Sequence, residues 1–72
     1  MILKYFLNGS AKFIDNIIGF SINEKGSDIK AEKLNVSIEK KVWGGEEEMF
    51  DLVLTESAFL MNDNGKTIER LI

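Results

Sequence analysis

Few side chains in this sequence are equipped for chemistry. There is no His and no Cys, so the commonest general base, the thiol nucleophile and the usual zinc ligands are all missing. Acid–base or nucleophilic work would fall to carboxylates, Lys, Ser or Tyr5, each of which needs strong help from its surroundings to act near neutral pH.

Three spacings invite a functional reading, and each fails on its own terms. Gly65-Lys66-Thr67 matches the end of a phosphate-binding loop, but the Gly required five positions earlier is Leu60. Asn62-Asp63-Asn64-Gly65 has the look of a calcium loop. With Gly65 in the sixth position, however, the first and twelfth are Leu60 and Leu71, where carboxylates are needed. Ser37 and Lys40 have the S-x-x-K spacing of serine acyl enzymes. On a strand, residues three apart point to opposite faces. These are turns and a strand, and no catalytic residue is assigned.

The most unusual stretch is Trp43-Gly44-Gly45-Glu46-Glu47-Glu48, which sets the single Trp beside two glycines and three consecutive acids. Two readings stand side by side. In one, Trp43 ends a strand and packs in the core while the glutamates keep a hairpin tip soluble. In the other, Trp43 is an aromatic anchor and Glu46, Glu47 and Glu48 are its acidic rim, the composition of a contact with a basic protein partner. The partner-binding assignment rests on these four residues. A weak divalent-cation site formed by the glutamates with Asp51 is the lesser alternative, and no metal or other cofactor is assigned.

The elements that must carry these residues are read from turns and alternation. Asn8-Gly9 and Asn64-Gly65 are the dipeptides of two-residue type I′ hairpins, and Lys25-Gly26-Ser27-Asp28 and Trp43-Gly44-Gly45 are further breaks. Between them, Ile18/Phe20/Ile22, Leu34/Val36/Ile38 and Phe50/Leu52/Leu54 alternate with polar or small residues, so each trio predicts one face of a strand. Two segments are ambiguous. Residues 11–18 read either as a helix capped by Ser10 with Phe13, Ile14, Ile17 and Ile18 on one face, or as a strand followed by an Asp15-Asn16 turn. Residues 46–61 also carry helical spacing, and the Val and Thr content favours strand over 49–55. The expected fold is mainly β: a small antiparallel sheet or partly open barrel of about six short strands, with α+β (one helix near 11–18 or 46–61) as the alternative.

Composition bounds the rest. With 72 residues, the chain has room for one small domain spanning 1–72, whose modest core makes homo-oligomerisation a reasonable expectation. A hydrophobic fraction of 44% is that of a folded protein. The net charge of −3 argues against general nucleic-acid binding. Lys30, Lys33, Lys40 and Lys41, interleaved with Glu32 and Glu39, read as a solvated face, and a groove in which Trp43, Phe20 and Tyr5 stack bases is the minority reading. No apolar run approaches the roughly 18 residues of a membrane span, and no secretion signal is visible, so a cytoplasmic protein is expected. Nine cations that are all Lys except Arg70, together with many Ile and Asn, fit an AT-rich gene. The expectation is a non-enzymatic protein-binding accessory or inhibitor of phage or mobile-element type. A small barrel binding nucleic acid or a nucleotide-like ligand is the alternative.

Overall fold

Each of the three alternating trios lies in a strand of the computed structural model, which describes residues 1–25 and 34–72. The strands are β1 (Ile2–Leu7), β2 (Ser10–Ile14), β3 (Ile17–Lys25), β4 (Leu34–Lys41), β5 (Glu47–Leu54), β6 (Ala58–Met61) and β7 (Thr67–Arg70). They form two antiparallel sheets, one in the order β2-β1-β6-β7 and one in the order β3-β4-β5. The protein is mainly β and not a closed barrel. Neither helical alternative survives: 11–18 divides between β2 and β3, and 46–61 between β5 and β6. The Lys25–Asp28 break, Lys30, Glu32 and Lys33 fall wholly or partly outside the described residues.

Local chemistry explains each change of direction. Asn8 and Gly9 have φ of 52° and 78°, the pair of positive values that a type I′ turn demands, and Leu7 faces Ser10 across it. The expected type I′ turn at Asn64-Gly65 does not form. There only Gly65 is left-handed; Gly65 N–H donates to the Asn62 carbonyl at 2.9 Å and Asn62 N–H to the Lys66 carbonyl at 2.8 Å. This is a three-residue loop closed by a left-handed Gly. Asn62 favours it because its side-chain oxygen accepts from the backbone N–H of both Asn64 and Lys66, at 3.0 Å each.

The two sheets meet at corners. Asn16, at φ 56°, bends the chain between β2 and β3. The bend is held on both sides: Met1 and Ile17 exchange backbone hydrogen bonds of 3.0 Å, and Lys41 N–H donates to the Asn16 carbonyl at 3.1 Å. A second corner, Thr55 to Ser57, carries the chain from β5 to β6, and Phe6 N–H donates to the Ser57 carbonyl at 3.0 Å. Glu56 in this corner accepts from Asn8 N–H at 2.5 Å and from Gly9 N–H at 3.1 Å. Its carboxylate therefore ties the β1–β2 turn to the opposite corner through a concave pair of backbone donors.

Both sheets contribute to one core of Leu3, Ile17, Leu34, Val36, Ile38, Leu54, Ala58 and Leu60. The β4 trio is buried as expected, and Phe50, Leu52 and Leu54 of β5 face it across the register pairs Ile38–Phe50, Val36–Leu52 and Leu34–Leu54. The β3 trio is only partly right. A bulge between Ile17 and Gly19 shifts the register, so Ile17 enters the core while Ile18 and Ile22 remain half exposed. Ile38 lies at the centre of this layer. Ile38→Val is expected to lower stability by about 0.5–1.5 kcal/mol and Ile38→Ala by about 2–5 kcal/mol in urea denaturation. Equal midpoints for all three proteins would contradict the packing described.

Candidate interaction site

The β4–β5 hairpin presents the sequence-assigned residues. Its strands pair without slippage from Leu34–Leu54 to Lys41–Glu47. Beyond that the loop is closed by Val42 N–H donating to the Glu46 carbonyl at 2.8 Å and Gly45 N–H donating to the Val42 carbonyl at 3.2 Å. Gly44 and Gly45 have φ of 95° and 80°, conformations that two glycines adopt without strain. Trp43 precedes them, and the loop aims it away from the sheet. It is 99% exposed, so the core reading of Trp43 is overturned.

Glu46, Glu47 and Glu48 are all exposed, but they do not share a side. Alternation along β5 sends Glu47 to the outer face, opposite Lys41, and Glu48 to the other face, opposite Lys40. The acids thus flank the Trp43 loop on both faces of the hairpin. Lys40 extends to Asp15 at 3.7 Å, which links the base of the hairpin to the β2–β3 corner.

The outer face of the three-stranded sheet carries a chain of polar contacts beside the exposed Met49 and Val53. Asn23 Nδ2 donates to Ser37 Oγ at 2.6 Å, and Ser37 Oγ donates to Asp51 Oδ1 at 2.6 Å, a chain crossing all three strands. Next to it, Glu39 lies diagonal to Glu47. A hydrogen bond to the Glu47 carboxyl, then desolvation, then repulsion from Glu47, hold the Glu39 carboxyl above its ordinary range. Gly19, opposite Glu39, gives this side chain its room: a Cβ there would sit 3.1 Å from Glu39 Oε2. A shallow depression of about 120 Å³ lies over Gly19 between Ser37, Glu39 and Met49. Among the described residues, no three carboxylates converge as a metal site would require, and Asp51 is engaged by Ser37.

Sequence reasoning missed Glu56, whose turn partners lie 47 and 48 residues away and which no local pattern marks. Comparison with known protein families, curated proteins and solved structures finds no match. No helix of the described residues is long and apolar enough to cross a membrane.

The Glu39–Glu47 pair has a pH signature. Because folding raises the Glu39 pKa, its favourable contribution is complete below the unfolded carboxylate pKa and is lost as pH rises through the folded value. Glu39→Gln is therefore expected to raise the melting temperature at neutral pH, with the gain vanishing below about pH 3, where the Glu39 carboxyl is protonated. A gain of the same size at both pH values would contradict the pairing.

Proposed function

We infer that this protein is a small non-enzymatic binding protein that docks on another protein through the tip of its β4–β5 hairpin. The observation that carries the reading is the complete exposure of its single Trp. An indole exposes roughly 200 Å² of largely apolar surface, and burying it in a partner's pocket is worth on the order of 5 kcal/mol before the costs of association. Folding makes no use of that energy here, so it is free for binding. Trp and the large aromatics are the residues that most often anchor protein contacts.

The partner surface implied is an apolar pocket with basic groups around it. Glu46, Glu47 and Glu48 supply charge on both faces of the loop, which speeds encounter and rejects acidic partners. Gly44 and Gly45 allow the loop to adapt as Trp43 seats. We extend the reading to a cytoplasmic accessory or inhibitor of phage or mobile-element type, on the strength of small size, net acidity and the Lys, Ile and Asn content. Homo-oligomerisation is part of the proposal, since the sheets leave the outer edges of β2, β7, β3 and β5 unpaired by one another.

A Trp43→Ala, Glu46→Lys double variant is expected to lose a partner captured by the unmodified protein while keeping its circular dichroism spectrum and melting temperature. Loss of the fold in that variant, or undiminished capture by it, would contradict the assignment.

A further inference from the structure

We propose that the outer face of the four-stranded sheet binds single-stranded nucleic acid. Register places Phe13, Lys4, Phe59 and Arg70 in one row across β2, β1, β6 and β7, and directly paired residues of an antiparallel sheet share a face. Leu3, Ala58 and Leu60 are buried on the opposite face, so alternation turns this row outward. The order is aromatic, cation, aromatic, cation.

The side chains interact as that order implies. The Lys4 ammonium lies 5.5 Å from the centroid of Phe6 and 5.8 Å from that of Phe13, and the Arg70 guanidinium lies 5.8 Å from the Phe59 centroid. Phe13 is 60% exposed. Phe13 and Phe59 are two strands apart, which is about 10 Å at the usual strand spacing, with the Lys4 charge between them.

The charges of this face are available to an anion. Among the described residues, neither Lys4 nor Arg70 has a side-chain carboxylate within ion-pair reach; Arg70 Nε donates to the Ile72 main-chain oxygen at 3.1 Å. Of the acids beside the face, Asp15 is held by Lys40 at 3.7 Å and Asp63 by the Met1 ammonium at 3.2 Å, while Glu69, next to Arg70 in β7, pairs with Leu60 and so alternates to the opposite face. Glu39, Glu47 and Asp51 lie on the outer face of the other sheet. Among the described residues, no carboxylate takes a place in the row itself, which is locally cationic although the chain as a whole is acidic.

The chemistry selects the ligand. A single-stranded polynucleotide repeats a flat stackable group and a negative charge, and this row repeats a ring and a positive charge. Stacking on exposed aromatics within a cationic track is how sequence-tolerant single-strand binding is achieved. Tyr5 and Phe20, the stacking residues that sequence reasoning considered with Trp43, instead pack against the core.

Fluorescence anisotropy with labelled oligothymidylate and oligouridylate of about twelve nucleotides tests the proposal. Saturable binding is expected, with a log–log salt slope of about −1.4 for two phosphates at about −0.7 each. Lys4→Gln is expected to reduce the slope to about −0.7, Phe13→Ala to weaken binding about fivefold or more, and Trp43→Ala to change nothing. Phe13→Leu, which keeps apolar bulk without the ring, gives the same reading should the Ala variant unfold. Absence of binding at low salt overturns the proposal, as does affinity indifferent to Phe13 and Lys4, or displacement by polyglutamate at equal charge concentration. Phe13-dependent self-association in light scattering without oligonucleotide binding assigns the face to a second copy and overturns it too.

Discussion

Leu3, Ala58 and Leu60 from one sheet and Ile17, Leu34, Val36, Ile38 and Leu54 from the other form a single apolar layer, and neither sheet could bury its share alone. A three-stranded and a four-stranded sheet of this size are each marginal in water without something to cover one face. With no Cys to cross-link them, the sheets depend on being held at the right angle by backbone. The Met1–Ile17 exchange, the Lys41–Asn16 bond and the Glu56 carboxylate on the Asn8-Gly9 turn do this from three directions. The strands then need only alternate, and they do.

That division of labour explains what could be read from the sequence. Leu34/Val36/Ile38 and Phe50/Leu52/Leu54 were legible because period-two alternation is local and their paired register runs unbroken. The Asn8-Gly9 turn was legible because positive φ at two successive positions selects few residues. The segment 11–18 was not, since what decides it is Asn16 in the left-handed region, a choice made by contacts with Met1 and Lys41. Ile18 and Ile17 exchange roles because of a bulge, and no pattern of hydrophobicity distinguishes a bulged register from a straight one. Asn64-Gly65 misled for a related reason: the Asn62 side chain stabilises a different loop from the one its successors prefer.

The two surfaces available for interaction follow from the same layer. Because the core draws only on the inner faces, the outer faces and the hairpin tip are free to specialise, and they do so with different chemistry. One outer face carries the aromatic and cationic row. The other carries Glu39, Glu47 and the Asn23–Ser37–Asp51 chain. The candidate site at Trp43 was half legible, as a composition with two readings, and only the fold could choose between them. The row of Phe13, Lys4, Phe59 and Arg70 was not legible at all, because it is assembled by register between strands that are distant in sequence.

The central claim is that folding leaves Trp43 in solvent, and the single Trp makes this directly measurable. Native protein at low micromolar concentration should emit at the wavelength of the urea-unfolded chain and be quenched by acrylamide almost as readily. A blue-shifted emission with strong protection from acrylamide would place Trp43 in the core and contradict the account.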